Sequence, residues 1–599
     1  MIAGLTNRVR AAPHTALAVA VLAVAAYLCL AHLDYAALWH DEAPSALIAR
    51  NLLQRGDITG WDGRNLVGGT NGRTLNGDLR DVLPPLTYVF NAAGLAVFGF
   101  NETGARIVPA LLGILSLALL YLLLRQHLER HPRLILFSLL LAAWSPQLLL
   151  YFRQSRYYAF MACGLIAAFY LYERWWRSGG VRRLAALTVV AALAFFNHYA
   201  GGAATMLALA AWHLVFRARD TTPRQWLELA AGGIVVTALG ASWLVWIGVV
   251  GGERSGFAEY TGVVGLSNYQ GTIPPLLLRL GVYARDLFAA DWVSWPVALW
   301  FAAMLALPVF RRRRGARRTA NRGRGRRPPP RNGRRSRGSP TPRERSGNLP
   351  MHAAGRVVLM GALFALFSAA LSVQAASALL FADLRYYMGG LPLLLAMKAL
   401  FVEWTWRMSR WAGGAVLAVL LFSSAGAWPF NMTMLFTGER TLGLHLSQFV
   451  REIHRPYRDS LRVASDYLLE HAEQDDLVYV PGFADREALT FATGHRVLFC
   501  CVLDAASPLP PKTVEALPAR LWIAGATPDW IVVFGMLTDE YRDRLRGHYA
   551  IAAQPDVYYY PTQRPEINLH AFTPLRDGRQ LLHILHRLPT ATVREPGAR

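Results

Sequence analysis

Two adjacent carboxylates, Asp41 and Glu42, stand where the first apolar run of the chain gives way to polar sequence, in Leu38-Trp39-His40-Asp41-Glu42-Ala43. A carboxylate held beside apolar sequence can take the proton of an attacking hydroxyl, which is the work of a general base in group transfer. The same pair also suits the start of the amphipathic stretch Ala43 to Leu53, as an N-cap and a first-turn acid. Spacing alone leaves both accounts open.

Arginines suit the binding of an anionic group such as a phosphate or carboxylate, because their planar donors engage it in pairs and stay charged near lipid. Arg156, Arg385 and Arg80 are the candidates, with ordinary interfacial snorkelling as the alternative for each. His198 lies in a tight turn flanked by apolar sequence, where a structural hydrogen bond and a substrate contact are both open. Tyr157, Tyr158, Tyr199 and Tyr386 adjoin these groups and are expected to line a substrate cavity.

The elements that must hold these residues are set by composition. The chain has 599 residues, 54% of them hydrophobic, and several stretches run for about 18 or more residues without a formal charge, enough to span a bilayer. They include Pro13 to Leu33, Ile107 to Leu124, Leu134 to Tyr151, Leu229 to Gly252, Val357 to Ala382 and Trp411 to Gly438. The first has no small-residue cleavage site after it and reads as a retained helix, not a signal peptide.

The net charge of +23 suggests nucleic acid until it is located. Sixteen arginines against one acid, Glu344, lie between Arg311 and Arg345, in Pro/Gly/Ser-rich sequence. Such a segment is too polar to pack, and reads as a disordered loop, 311–350, near anionic lipid, with no nucleic-acid partner.

Basic clusters follow alternate apolar runs: Arg8 and Arg10, Arg125 to Arg133, Arg174 to Arg183, Arg217 to Arg224, the 311–345 loop, then Arg407 and Arg410. The positive-inside rule puts all six on the cytoplasmic side. It follows that Pro84 to Phe100 does not cross and is an interfacial helix. Leu184 to Phe216 must then be a hairpin of two helices, turning at Asn197-His198-Tyr199-Ala200-Gly201-Gly202, with the glycine pair supplying the turn. About eleven spans result, with the N-terminus inside and the C-terminus outside.

The expected fold class is therefore a polytopic α-helical membrane protein, residues 1–440, with a long outer loop at 34–106. A C-terminal extracytoplasmic α/β domain follows at 441–599. Short β-like runs at Leu477 to Val480, Val497 to Cys501 and Trp530 to Phe534, and a helical pattern at Arg462 to Ala472, support that domain. Lys398 and Glu403 are expected to pair or snorkel. The four cysteines, at 29, 163, 500 and 501, fit neither a zinc site nor a disulfide framework.

The first helix ending in an aromatic-X-Asp-Glu turn, the long outer loop and the entry Pro84-Pro85-Leu86-Thr87-Tyr88 resemble the C-type (GT-C) glycosyltransferases. The resemblance is to the protein O-mannosyltransferase and lipid A aminoarabinose-transferase group, glycosyltransferase family 39-like, and covers Asp34 to Tyr199 best. Gln154-Ser155-Arg156-Tyr157-Tyr158-Ala159, His198-Tyr199 and Arg385-Tyr386 before Leu391-Pro392-Leu393 extend it in the same order along the chain. It implies a GT-C fold, a polyprenyl-phosphate-linked sugar as donor, Asp41 as base with Glu42 beside it, and a hydroxyl acceptor on lipid A, a polysaccharide or a protein. The Ala/Arg-rich composition suggests a bacterial chain, and with it a cytoplasmic membrane whose lipids are neighbours. Some relatives carry a second aspartate in outer loop two. Tyr151 to Phe160 has none, so a divalent metal stays open but without support, and the lipid-linked donor is the cofactor the resemblance implies.

The residues fit that chemistry on their own account. A leaving phosphate departs as an anion and needs cations more than a proton donor, so one carboxylate suffices for inverting displacement. The rival reading, a transporter or lipid flippase, calls for charges or broken helices at midspan, whereas the charges concentrate in outer loops. A non-enzymatic scaffold for the C-terminal domain is the third.

Overall fold

The structure, a computed structural model, describes residues 2–67, 75, 79–246, 275–289, 293–306, 350–371, 384–422, 445–455, 459–481, 486–498, 528–535, 537–555, 557 and 582–589. The basic loop 311–345, Cys500 and Cys501 lie outside them.

Twenty helices run in the order α1 Ile2–Leu30, α2 Glu42–Arg55, α3 Leu86–Phe98, α4 Glu102–Leu128, α5 Pro132–Ala143, α6 Pro146–Phe152, α7 Tyr158–Ser178, α8 Val181–Asn197, α9 Tyr199–Phe216 and α10 Pro223–Trp246 among the described residues. They continue with α11 Pro275–Ala289, α12 Ser294–Ala306, α13 Met351–Leu371, α14 Leu384–Tyr387, α15 Leu391–Met408, α16 Arg410–Phe422, α17 His445–His454, α18 Ser460–His471, α19 Arg486–Thr493 and α20 Asp539–Leu545. Five are long and apolar enough to cross a membrane: Pro13–Leu30 of α1, α4, α9, α10 and α13. A sixth appears if α5 and α6 form one bent span. The spans expected at Leu229 to Gly252, Val357 to Ala382 and Trp411 to Gly438 extend beyond the described residues, and the full number of crossings remains an expectation.

Leu134 to Tyr151, expected to be continuous, is bent by 59° between α5 and α6. Pro146 is the cause. It opens α6 at N1 and forces the preceding Ser145 into extended backbone, ψ 114, where the Ser145 side chain caps the new helix.

Leu184 to Phe216 does form two helices, but the glycine pair is not the turn. The break is His198, φ −159 and ψ 110, and Gly201 and Gly202 sit in the first turn of α9. Their use is close packing: a Cβ on Gly202 would stand 2.4 Å from Phe195 Cα and 2.5 Å from its N. Since backbone cannot yield as a flexible side chain does, Gly202→Ala should destabilise the detergent-solubilised protein by about 1–3 kcal/mol. Gly233→Ala, with nothing within 4 Å, should leave the melting temperature unchanged or slightly raised.

Among the described residues, four of the six basic clusters meet at one end of the bundle. Glu173, fully buried, takes Arg217 Nη2 at 2.9 Å, lies 3.8 Å from Arg177 Nη2, and accepts from Trp212 Nε1 at 3.0 Å. Arg177 also donates to Gln126 O at 3.1 Å. Glu403 joins Arg133 at 3.2 Å to Arg407 at 2.7 Å. Four separate arginine clusters thus share one end, the arrangement the hairpin of α8 and α9 requires. The other end of α7, where Tyr157 and Tyr158 stand, is about 30 Å away for a helix of that length.

The C-terminal region carries a five-stranded sheet, β1 Leu477–Tyr479, β2 Arg496–Leu498, β3 Trp530–Phe534, β4 Tyr549–Ala553 and β5 Leu582–Arg587, in the order β2-β1-β3-β5-β4. β1 pairs in parallel with β2 and β3, and β5 antiparallel with β3 and β4. This sheet does not stand apart from outer loop one. Ala46 and Leu47 of α2, Tyr88 of α3, Leu461 and Leu489 of the C-terminal helices and Val478 and Ile584 of the sheet share one buried core. Asn65 covers the edge of β2 with its amide, accepting from Val497 N at 2.9 Å and donating to His495 O at 3.1 Å.

Candidate active site

The end of α1 sets the position of everything that follows it. Its last carbonyls lack intrahelical donors, and Arg153, buried on the short segment between α6 and α7, supplies them: Leu28 O at 2.8 Å, Cys29 O at 3.2 Å and His32 O at 2.7 Å. Arg106, one turn into α4, takes the next stretch, donating to Leu33 O, Ala36 O and Ala37 O at 2.8, 2.7 and 3.0 Å. The same guanidinium grips Glu42, Nε to Oε1 at 2.9 Å and Nη2 to Oε2 at 2.6 Å.

Glu42 is fully enclosed, and Ser155 N and Trp39 N also donate to it, at 2.7 and 3.4 Å. Every side of that carboxylate is occupied. Its carboxylate has no open side in this structure and ties α2 to α4 and to the segment that follows α6.

Asp41 is different. It precedes α2 but its backbone is already helical, φ −86 and ψ −24, and its side chain makes no capping bond. The carboxylate, 21% exposed, faces Arg385 Nη1 at 3.0 Å, with His40 Nε2 3.9 Å from its other oxygen. Asp41 does hold the N-cap position of α2 and Glu42 its first turn, as the helix-start account expects, but the Asp41 carboxylate is turned to Arg385 instead of the helix amides. Arg385 comes from α14, more than 340 residues later, and lies over the Tyr386 ring at 4.8 Å. Burial works against its charge, but Tyr386 and Asp41 outweigh burial and hold the guanidinium above its usual value.

Around this pair stand residues of the two connections from α6 to α7 and from α8 to α9. Arg156 Nη1 donates to Ser45 Oγ at 2.8 Å, on the first turn of α2, and its guanidinium covers the Tyr157 ring at 5.2 Å. Tyr157 stacks on His198 at 4.1 Å and meets Tyr158 at 4.4 Å. His198 Nδ1 accepts from Gly201 N at 2.9 Å, capping α9, which leaves the ring proton on Nε2. Burial and then the Arg156 charge push its pKa down to about 4, so the ring is neutral near pH 7. Tyr158 is fully buried and its hydroxyl has no partner among the described residues.

Two candidates do not join this group in their described contacts. Arg80 donates to Asp57 Oδ2 at 2.9 Å and covers Trp246 at 5.4 Å. Tyr199 is a strut: its hydroxyl donates to Val82 O at 3.0 Å and accepts from Trp243 Nε1 at 2.8 Å, tying α9 to the end of outer loop one. Asn197 does similar work, with Thr87 Oγ1 donating to its Oδ1 at 3.2 Å and its Nδ2 donating to Tyr157 O at 3.0 Å. Arg106 and Arg153, which hold the whole turn, were not singled out from sequence. Among the described residues no three His, Cys, Asp or Glu side chains are grouped to hold a metal ion.

A family model described as dolichyl-phosphate-mannose-protein mannosyltransferase matches residues 82–246. An uncharacterized protein of Aquifex aeolicus (strain VF5) is 34% identical over 96 residues, 16% of this chain and 17% of that relative, so the match spans about a sixth of its length. Two crystal structures of ArnT from Cupriavidus metallidurans share the fold. The form bound to undecaprenyl phosphate has a TM-score of 0.53 at 14% identity, covering 96% of this chain and 98% of that one. The apo form has a TM-score of 0.51 at 16% identity, covering 91% and 96%.

Proposed function

We propose that this chain is a C-type glycosyltransferase that moves a sugar from a polyprenyl-phosphate donor to an extracytoplasmic hydroxyl with inversion, a reading supported by the matched segment 82–246 and by the shared fold. Asp41 is the base. The acceptor oxygen attacks the anomeric carbon, its proton passes to Asp41, the bond from that carbon to the phosphate oxygen breaks, and polyprenyl phosphate leaves as an anion. The observation that carries the reading is that Asp41, alone of the two adjacent acids, keeps a partly open carboxylate, and that the cation opposite it is Arg385.

Arg385 and Arg156 are the phosphate partners in this reading, since departing charge is stabilised by fixed cations in a water-poor site. His198, neutral with its proton on Nε2, is a donor that adds no charge. Tyr157, Tyr158 and Tyr386 form the wall that receives the sugar. Arg385→Ala should weaken donor-lipid binding by about ten-fold or more and slow transfer as well, because phosphate is held before and during its departure. Arg385→Lys should recover only part of the loss, a point charge replacing a planar fork. Donor affinity unchanged in Arg385→Ala would remove this residue from the phosphate site.

We place the site on the extracytoplasmic face of a bacterial cytoplasmic membrane. A periplasm-active reporter fused after Phe100 should be active and one fused within 322–337 silent, because positive charge stays inside. Activity in the basic loop would invert the orientation. Mass spectrometry of envelope glycans from a deletion strain tests the reaction itself and separates lipid A, polysaccharide and protein as acceptors; an unaltered glycan profile would defeat the proposal.

A further inference from the structure

The turn that carries Asp41 is held from two sides. Arg106 of the bundle grips the carbonyls of Leu33, Ala36 and Ala37. From the C-terminal region the start of α18 grips the same stretch: Asp459 Oδ2 accepts from Ala37 N at 3.3 Å, and Arg462 Nη2 donates to Asp34 O at 2.8 Å and reaches Glu102 at 3.4 Å. Asp459 Oδ1 meanwhile accepts from Leu461 N at 2.9 Å, capping α18. Asp459 is 6% exposed, and its two oxygens serve two backbones, Leu461 N beside it and Ala37 N, which is 422 residues from Asp459 in sequence.

Helix capping does not require the second bond, since one acceptor satisfies an N-cap. The other oxygen goes to the segment whose next residues are His40 and Asp41. That segment has neither strand nor helix of its own between α1 and α2, so its placement depends on such ties. A displacement of about 1 Å at a reacting group can cost about 10²-fold in rate.

We infer that Asp459 is a positioning residue for Asp41, fixing the 34–41 turn through Ala37 and making the C-terminal region part of the catalytic framework rather than a detachable module. The inference rests on the reading of Asp41 as the base. Arg462, one turn further into α18, secures the same segment from its other end.

Asp459→Asn separates the two bonds. Asn caps a helix as well as Asp does, but its one oxygen cannot serve both amides, and its NH2 would turn a donor toward a donor. The full-length protein is assayed in detergent, with polyprenyl-phosphate-linked sugars extracted from the native membrane as donor. Turnover, kcat, should fall by about ten-fold while donor KM stays within about two-fold. Backbone amides of residues 34–41 should exchange about ten-fold faster, with those of α18 unchanged. Asp459→Ala, which loses both bonds, should add faster exchange in α18. Wild-type kcat in Asp459→Asn when Asp41→Asn is inactive would overturn the inference alone. So would a loss of activity that only follows the folded fraction, with kcat per folded molecule intact. Full turnover in Asp41→Asn would instead bring down the base assignment, and this inference with it.

Discussion

Asp41→Asn is expected to lower turnover by about 10² or more while donor-lipid binding survives. The substitution keeps size and polarity and removes only the capacity to accept the proton of the attacking hydroxyl. Stability gives the control. The ion pair with Arg385 keeps some access to solvent, each side chain being about 20% exposed, so losing it should cost less than the ~3–5 kcal/mol of breaking a fully buried pair. No capping bond is lost, because Asp41 makes none. The variant should therefore fold and melt close to wild type, and freed of its counter-charge, Arg385 should hold the donor phosphate at least as well. Steady-state turnover, donor binding and melting temperature measured on one preparation check all three expectations. Near wild-type turnover in the folded variant would take outer loop one out of the chemistry.

How far the sequence exposes this site can be argued residue by residue. Trp530–Phe534 and Leu477–Tyr479 were readable as strands because β-branched and aromatic residues run between breakers. β5, Leu582–Arg587, was not, since its two histidines and an arginine mask the pattern and its identity comes from antiparallel pairing with β3. Asp41 and Arg385 were legible as chemistry-bearing types in loops, although nothing in sequence says that residues more than 340 positions apart meet at 3.0 Å. The buried pairing of Glu42 was hidden for the same reason: its neighbour is Arg106, 64 residues on, at the mouth of an apolar helix where an arginine resembles a snorkelling charge. The glycine pair of α9 was read as a turn because glycine signals both a turn and a close approach of helices, and only the distance to Phe195 separates the two.

Glu42→Gln should cost about 3–5 kcal/mol, the penalty for breaking a buried ion pair by removing one partner. The glutamine keeps the shape of the side chain but leaves Arg106 charged at 2% exposure without its counter-ion, and its NH2 must face either that guanidinium or Ser155 N. Less protein should reach the membrane, and what does should melt well below wild type. An inactive Glu42→Gln therefore says nothing for Glu42 as a base, and the distinguishing quantity is turnover per folded molecule, which should stay within a few-fold of wild type where Asp41→Asn has lost about 10². A double replacement sharpens the point. Exchanging both members of an isolated buried pair for apolar residues is often neutral or stabilising, yet Glu42→Leu with Arg106→Met should not recover stability. Arg106 also supplies the donors for Leu33 O, Ala36 O and Ala37 O, and the two buried ones, Leu33 O and Ala37 O, would cost about 1–3 kcal/mol each if left without partners. Thermal melting of the single and double variants decides it: recovery in the double variant would reduce Arg106 to a mere counter-ion, whereas further loss identifies it as the residue around which the turn bearing Asp41 is built.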